Sequence, residues 1–329
     1  MAPRFQGQED DWLDDIEPAK RAKPASKPIA GRARELGPEE GNATVAEIFP
    51  NQSAVRMDGS AARILCNYRM ATLGFNGASR ERSPVCVGDR VRVEADVIVG
   101  RCVRRNRLVR QAPNSRDPLL HVIVANIDCL VIVSAAREPE FTAGVVDRFL
   151  VAASAGKIAP ILCVNKTDLI GPESPRPWSH YAAAGVIVIE ACARRGDGTD
   201  GLKAYLRGKA AAFCGHSGVG KTSLLRRLLG DENIGKTGEL SASSGKGRHT
   251  TTGAVLLPGD DGSTWIDTPG IMNFGLVDIN RKDLLAHFPE LFKAAAACPK
   301  DCPHDVNPDC ALRGQPRRES YLQILASLR

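Results

Sequence analysis

The stretch GHSGVGKT, Gly215–Thr222, says most about the architecture of this 329-residue chain, because it fits the phosphate-loop pattern G-x-x-x-x-G-K-[S/T]. Its glycines let backbone N–H groups turn inward around phosphate oxygens, while Lys221 places a charge against the β- and γ-phosphates. The apolar run Lys209–Cys214 predicts a buried strand before the loop, and Ser223–Leu229 predicts a helix after it. Strand, loop and helix in this order predict a nucleotide-binding α/β domain rather than a chance glycine-rich turn.

The tetrapeptide NKTD, Asn165–Asp168, comes before the phosphate loop and directly after the apolar run Ile158–Val164. A carboxylate at Asp168 can accept from the N1–H and the exocyclic amine of guanine, whereas adenine offers no such donor pair. A mismatched base would leave a charged acceptor unpaired, so this residue predicts guanine selection. Asn165 can contact the opposite edge of the base, and the Lys166 stem can lie along its face. By itself the tetrapeptide is also compatible with an ordinary turn.

The order of the two segments is the reverse of the usual one, in which the phosphate loop precedes the guanine-reading segment. A reversed order is physically allowed, because ligands bind at the carboxyl ends of parallel strands in whatever order the chain visits them. We therefore predict one guanine-nucleotide site built from both segments. The predicted nucleotide-binding residues are Asn165, Lys166, Thr167, Asp168, Gly215, His216, Ser217, Gly218, Val219, Gly220, Lys221, Thr222 and Ser223.

The remaining parts of a GTPase site follow in matching order. Asp267 begins the segment DTPG and can hold Mg²⁺ through water, and the Gly270 amide can sense the γ-phosphate. The Thr222 hydroxyl can ligate the same ion. Between these two segments, Gly247–Thr252 (GRHTTT) predicts a switch, and we expect its Thr251 to reach Mg²⁺.

From residue 122 onward, apolar runs alternate with helical patterns such as Gly144–Ala155. This alternation indicates βαβ units and a mostly parallel sheet covered on both faces. After the run Val186–Ile189, the segment Glu190–Ala193 lies where a loop behind the guanine is expected, although it is equally compatible with a plain strand end. Helices are predicted at Arg281–His287 and Ser320–Ser327.

The segment CPKDCPHDVNPDC, Cys298–Cys310, brings three cysteines and one histidine within thirteen residues. Three thiols and one imidazole make the closed tetrahedral ligand set of a structural zinc site. A disulfide, or buried cysteines beside an exposed histidine, are the alternatives. The other seven cysteines are scattered through apolar runs, as in a reduced intracellular protein, which favours zinc. The predicted zinc ligands are Cys298, Cys302, His304 and Cys310.

The N-terminal third has two parts of different composition. Residues 1–40 carry an acidic block and then a basic block rich in proline, alanine and glycine, which predicts a disordered tail. Residues 41–112 contain short alternating runs, the last of them Leu108–Arg110, which predict a five-stranded barrel. This part has twelve arginines and no lysine, so we predict an RNA-binding face, with a generic solvated face as the alternative. The densest cluster is Arg101, Arg104, Arg105, Arg107 and Arg110.

The succession NKxD, phosphate loop, GxHTTT, DTPG and C-x₃-C-x-H-x₅-C resembles the bacterial circularly permuted GTPases of the RsgA (YjeQ) family. The resemblance runs from residue 41 to residue 329. It implies a multi-domain protein: an all-β OB-fold at 41–112, a permuted α/β GTPase at 113–278 and an α-helical zinc domain at 279–329. It also implies GTP hydrolysis stimulated by the small ribosomal subunit, in late maturation of that subunit, with 16S rRNA as a partner. One departure is that three residues separate the first two cysteines, where the family leads us to expect four.

The resemblance also bears on hydrolysis. Where Ras-like enzymes carry a water-orienting glutamine after the DxxG glycine, this chain has Ile271, and no residue through Phe274 could act as a base. The resemblance points to His249 as the group that orients the attacking water, with a contact to RNA or solvent as the alternative. The predicted catalytic residues are His249, Lys221 and Gly270.

The expected cofactors are Mg²⁺ with GTP or GDP and one structural Zn²⁺. No run of eighteen apolar residues and no signal-type apolar core occurs, so we expect a cytoplasmic monomer without a membrane partner. The alternative function is an RNA-binding protein that uses GTP mainly as a structural ligand. A metabolic phosphotransferase is disfavoured, because NKTD specifies guanine and no substrate pocket is signalled.

Overall fold

The computed structural model describes residues 36–70, 73, 81, 83–111, 120–235, 253–259, 261–268, 276–277 and 279–328. In this part of the chain the strands are β1 Ala43–Phe49, β2 Gln52–Met57, β3 Arg63–Tyr68, β4 Arg90–Glu94, β5 Val97–Arg101, β6 Arg107–Gln111, β7 Leu120–Ala125, β8 Cys129–Ala135, β9 Ala159–Asn165, β10 Ile187–Glu190, β11 Ala210–Cys214, β12 Val255–Pro258 and β13 Thr264–Asp267. The α-helices are α1 Ala143–Ala155, α2 Ser179–Ala183, α3 Thr199–Leu206, α4 Lys221–Leu229, α5 Pro289–Ala295 and α6 Arg318–Ser327.

Within the described residues, the first five strands close into an OB-like barrel. Their order is β1-β2-β3-β5-β4, and β1 pairs back to β4. The interior is filled by β-branched side chains that suit a pleated surface, among them Val45, Val55, Val91 and Ile98, all of which are fully buried. The prediction of an all-β, OB-like barrel in the N-terminal region is therefore confirmed.

The predicted fifth barrel strand at Leu108–Arg110 is wrong. The fifth strand is β5, whereas β6 pairs with β7 in a separate two-stranded sheet and buries Leu108 against the central domain. Strands β4 and β5 are joined through Ala95 and Asp96, both with left-handed φ, of 47° and 59°. Such tight hairpin turns usually show Asn-Gly or Asp-Gly, so the Ala-Asp pair concealed this one.

The barrel also includes the end of the predicted tail. Leu36 forms an isolated parallel bridge with Cys102, and Pro38–Glu40 form a 3-10 turn. The packed region therefore reaches back beyond the predicted boundary at residue 41. The rest of the predicted tail lies outside the described residues.

The arginine cluster of the barrel region is largely occupied by internal ion pairs. Arg104 makes a two-point contact with the fully buried Asp89, at 2.6 and 2.7 Å, and its own side chain is only 8% exposed. Arg104 also pairs with Glu81, which Arg101 and Arg107 contact as well. Arg101, Arg104 and Arg107 of the densest cluster therefore make ion pairs within the protein, and Arg104 is the one of the three that is buried in doing so.

The central domain is the predicted parallel sheet. Strands β10, β9, β8, β11 and β13 run parallel in that order, and β12 pairs antiparallel with β13. One face packs against α1 and α2 through Phe149 and Tyr181, and the other packs against α3 and α4 through Leu202 and Leu225. Coverage on both faces explains why β8 is buried along its whole length.

A single sheet joins the central domain to the barrel. In the described residues, eleven strands form one continuous sheet, in which β12 pairs with β1 at Val255 and Glu47. The Arg63 guanidinium on β3 donates to the Leu256 carbonyl at 2.5 Å and lies 3.4 Å from the Glu47 carboxylate. The strand that follows the predicted switch is therefore bonded directly to the barrel.

The C-terminal region packs on α1. Val151 of α1 joins Leu284, Phe288 and Ile324 in one buried cluster. The predicted helix at Arg281–His287 is a 3-10 turn over its second half only, and α5 was not predicted. The helix predicted at Ser320–Ser327 is confirmed as α6, which begins two residues earlier.

A buried ion pair fixes this contact. The Arg317 guanidinium donates to Asp147 of α1 at 2.7 Å, and both side chains are almost fully buried. The same guanidinium contacts Glu290 of α5 at 2.9 Å and lies over the Phe288 ring. The C-terminal region is thus held against the central domain by charge as well as by apolar packing.

Candidate functional site

The NKTD segment, which is predicted to read guanine, lies at the carboxyl end of β9. Asn165 is the last residue of the strand, and Lys166 turns the chain with a left-handed φ of 61°. The Thr167 hydroxyl and amide both donate to the Ala191 carbonyl, at 3.0 and 3.2 Å. This segment is therefore fixed to the loop that follows β10, and the carboxylate of Asp168 is left at its edge.

Asn165 connects three loops. Its side-chain Nδ2 donates to the Val219 carbonyl of the phosphate loop at 3.0 Å, and its Oδ1 accepts from the Ala193 amide at 3.0 Å. The residue is 2% exposed. The contact to Val219 brings the NKTD segment and the phosphate loop, distant in sequence, into one site.

The phosphate loop lies between β11 and α4. Gly215 has φ 148° and Gly220 has φ 90°, values that favour glycine. A Cβ atom at Gly215 would lie 2.1 Å from the Val133 carbonyl oxygen, and one at Gly220 would lie 2.4 Å from Asn165 Nδ2. A side chain at Gly215 would therefore collide with the backbone of β8, and one at Gly220 would collide with the side chain of Asn165.

Lys221 is enclosed by the loop that precedes it. Its ammonium donates to the carbonyls of Gly215 and His216 at 2.9 and 3.0 Å. Burial lowers the pKa of Lys221, and the nearby Asp267 carboxylate opposes that shift. The other predicted loop residues follow the same turn: Val219 is buried, His216 and Thr222 are half-buried, and Ser217, Gly218 and Ser223 are exposed.

Asp267, at the carboxyl end of β13, lines the same cleft as Lys221 and Thr222. Burial raises the pKa of Asp267 to about 6, although the Lys221 charge lowers it. Its Oδ1 atom is buried and has no hydrogen-bond partner among the described residues. An orphaned carboxylate oxygen beside a threonine hydroxyl suits Mg²⁺, which prefers oxygen ligands and keeps several waters. Three predicted site residues, His249, Thr251 and Gly270, lie outside the described residues.

The four predicted zinc ligands come together in the C-terminal region. The ligand atoms of Cys298, Cys302, His304 and Cys310 all lie within 4.8 Å of one another. Cys298 Sγ is 3.6 Å from His304 Nδ1 and 3.9 Å from Cys310 Sγ. A tetrahedral zinc with Zn–S bonds of about 2.3 Å separates its sulfur ligands by roughly 3.8 Å.

The same geometry favours zinc over the predicted alternatives. All ten cysteines lie within the described residues, and every one of them is a free thiol there. The spacing of three residues between Cys298 and Cys302 still lets both thiols face the cluster. The donor set therefore fits zinc.

Two parts of the site escaped the sequence analysis. The Lys166 ammonium donates to the carbonyl of Glu138, in the loop between β8 and α1. The Cys192 thiol donates to Asp168 Oδ1 at 3.0 Å. From the sequence, Glu190–Ala193 was predicted only to form a loop, without a role for Cys192. The contact of Lys166 with Glu138 uses a backbone carbonyl, which every residue has, so the sequence could not predict it.

A guanine-reading segment that precedes the phosphate loop, with both loops at the carboxyl edge of one parallel sheet, defines a circularly permuted GTPase. A family model described as RsgA GTPase matches residues 101–277 of this chain. The chain belongs to the RsgA GTPase family, and it is a GTP-hydrolysing enzyme.

Individual relatives agree with this assignment. A small ribosomal subunit biogenesis GTPase RsgA from Azotobacter vinelandii is 38% identical over 94% of this chain and 91% of its own length. A protein of the same name from Pseudomonas fluorescens Pf-5 is 36% identical over the same shares.

Solved structures show the same fold. YjeQ from Thermotoga maritima, 27% identical, matches with a TM-score of 0.65 over 87% of this chain and 97% of its own. YloQ, a circularly permuted GTPase, is 23% identical and matches with a TM-score of 0.60 over 87% of this chain and 94% of its own. Among the residues that the structure describes, no helix is long and apolar enough to cross a membrane.

Proposed function

We propose that this chain binds the small ribosomal subunit and acts in its late maturation, with GTP hydrolysis stimulated by the subunit. Relatives that align over nearly the whole chain carry the name small ribosomal subunit biogenesis GTPase. The observation that supports a single nucleotide site is the Asn165–Val219 hydrogen bond, which joins the NKTD segment to the proposed phosphate loop. Such a site can hold base and triphosphate together.

The proposed roles of the nucleotide-site residues follow from their positions. Asp168 accepts from guanine, residues 215–223 cradle the phosphates, and Lys221 offsets the charge of the β- and γ-phosphates. Thr222, Thr251 and Asp267 are the proposed Mg²⁺ ligands, directly or through water. Gly270 is proposed to sense the γ-phosphate, and His249 to orient the attacking water.

The proposed zinc site of Cys298, Cys302, His304 and Cys310 is structural. Four protein ligands leave no open coordination position, and the short turns between them provide little apolar core of their own. The proposed domains are an OB-fold at 41–112, a permuted GTPase at 113–278 and a zinc-binding domain at 279–329, after a tail at 1–40. Residues 36–40 of that tail pack on the barrel, and β6 pairs with β7 of the GTPase.

The proposed macromolecular partner is the 16S rRNA of the small subunit, bound by a monomer in the cytoplasm. Ten free cysteines are compatible with a reducing compartment. Since the Arg104 side chain is buried against Asp89 and Glu81, the more exposed side chains of Arg105 and Arg107 are better placed for an RNA contact of this region.

The test is GTP turnover by the full chain, alone and with purified small or large ribosomal subunits. We expect strong stimulation by small subunits and none by large subunits. His249→Ala should bind GTP as before while losing the rate stimulated by the small subunit. Equal turnover under all three conditions would favour an RNA-binding protein with GTP as a structural ligand.

A further inference from the structure

The thiol of Cys192 is aimed at the guanine-reading carboxylate. Cys192 follows β10, is fully buried, and places its Sγ 3.0 Å from Asp168 Oδ1. A carboxylate only accepts hydrogen bonds, so the thiol is the donor in this pair. The hydrogen bond from Cys192 also lowers the pKa of Asp168.

The sulfur itself is held in place by a closed loop. The Arg195 amide donates to Cys192 Sγ at 3.3 Å, so the thiol both accepts and donates. The Cys192 amide donates to the Asp197 carbonyl at 2.8 Å, and the Gly196 amide donates to the Cys192 carbonyl at 2.7 Å. The thiol is therefore a fixed point against which the carboxylate can be oriented.

Orientation of that carboxylate matters for the choice of base. Guanine presents two donors side by side, N1–H and the exocyclic amine, and only a carboxylate in the plane of the base can accept from both. The terminal torsion of an aspartate is broad and does not hold such a plane by itself. A carboxylate has enough lone pairs to accept from the thiol and from both base donors.

We propose that Cys192 is a positioning residue that sets the plane of the Asp168 carboxylate and thereby the preference for the exocyclic amine of guanine. This inference rests on the proposed guanine site. On this proposal the preference for guanine depends on the buried thiol of Cys192 as well as on the NKTD tetrapeptide. The reacting γ-phosphate is bound at the other end of the site, so the thiol affects binding of the base and not the hydrolytic step.

The test compares GDP with inosine diphosphate, which keeps N1–H and lacks the exocyclic amine. Calorimetric titration of the full chain measures both affinities for the unmodified chain, Cys192→Val and Cys192→Ser. We expect Cys192→Val to weaken GDP binding roughly tenfold, as for the loss of a hydrogen bond to a charged group, and to weaken inosine diphosphate binding less. Cys192→Ser restores a donor and should restore the GDP preference.

A matched control is Cys129→Val, because Cys129 is buried to a similar degree at the opposite end of the sheet, at the start of β8. This variant should bind both nucleotides as the unmodified chain does. A second control is Cys192→Val in the Asp168→Ala background, where removal of the thiol should have no further effect. Cys129→Val should also keep the turnover rate of the unmodified chain at saturating GTP.

Each outcome has a distinct meaning. An equal loss of GDP and inosine diphosphate affinity in Cys192→Val would assign the thiol a purely structural role and overturn the proposal. An unchanged preference would overturn it as well. If the unmodified chain binds ADP as tightly as GDP, the guanine site itself is refuted, which is a separate failure.

Discussion

At the scale of single residues, the nucleotide site depends on positions where chemistry and backbone geometry coincide. Gly215 and Gly220 lie in the proposed phosphate loop, and an added Cβ at either would collide with Val133 or Asn165. Asp267 is half-buried near Lys221, and its buried Oδ1 atom has no hydrogen-bond partner among the described residues. Residues of this kind lower the free energy of unfolding of the nucleotide-free protein.

The first prediction concerns Asp267 and pH. Burial raises the pKa of Asp267 to about 6, so the folded chain binds this proton more tightly than the unfolded chain does. The free energy of unfolding therefore falls as pH rises from about 4 to 6 and stays lower above that range. Asp267→Asn should stabilise the nucleotide-free protein by about 2–3 kcal/mol at pH 7.5, and by less as the pH falls toward 5.

Urea unfolding of the nucleotide-free protein at several pH values measures this difference. Asp200→Asn, which removes an exposed carboxylate on α3, is the control and should change stability little. Although more stable, Asp267→Asn should lose Mg²⁺-dependent GTP turnover. No gain in stability at pH 7.5 would contradict the assignment of an unfavourable buried carboxylate.

The second prediction concerns Gly215. A methyl group there would meet the Val133 carbonyl oxygen at 2.1 Å, and φ lies in a region that favours glycine. Gly215→Ala should therefore destabilise the chain by roughly 1–3 kcal/mol and lower its nucleotide affinity. Gly201→Ala on α3, with no heavy atom within 4 Å of the added methyl, should be neutral or slightly stabilising. Thermal unfolding of both variants checks the contrast.

At the scale of elements, the sequence predicted the strands that carry the site because their signals are local. Strands β9, β11 and β13 are short apolar runs, and each is followed directly by a motif with its own chemistry. Strand β5 was missed because its turn lacks the usual residues, and β6 was placed in the wrong sheet because strand partners are chosen in three dimensions. Helix α5, with seven residues beginning at a proline, is too short to show a clear period.

Side-chain partners were less predictable than elements. The sequence shows the charge of Arg104 but not the buried Asp89 that neutralises it. In the same way, Cys192 resembles any other cysteine in an apolar run until its distance to Asp168 is known. Contacts between residues far apart in the chain leave no periodic signal.

The zinc cluster gives a prediction at this scale. The purified chain should carry one zinc per molecule, and Cys302→Ser should lose it, because three ligands hold the ion far less tightly than four. Amide hydrogen exchange should then become faster in α5 and α6, while β8 and β9 keep their protection. Cys66→Ala, which removes a barrel thiol, should keep its full zinc content. Protection of α5 and α6 that survives loss of the metal would show that zinc does not hold them.

At the scale of the whole molecule, the C-terminal region and the central domain are joined by the Arg317 cluster. Arg317 lies between Asp147 and Glu290, and removing it would leave two carboxylates without their cation in a buried place. Arg317→Met should therefore destabilise the chain by about 3–5 kcal/mol. Adding Asp147→Asn should recover part of the loss. Calorimetric unfolding measures both variants, and an additive second loss in the double variant would argue against coupling between the two side chains.

The continuous sheet has a mechanical consequence. Strand β12 is bonded on one side to β13, which ends at Asp267, and on the other side to β1 of the barrel. A displacement of the barrel is therefore transmitted through backbone hydrogen bonds between strands to β13, which ends beside the proposed phosphate loop. A partner that binds the barrel can therefore shift Asp267 relative to the proposed phosphate loop.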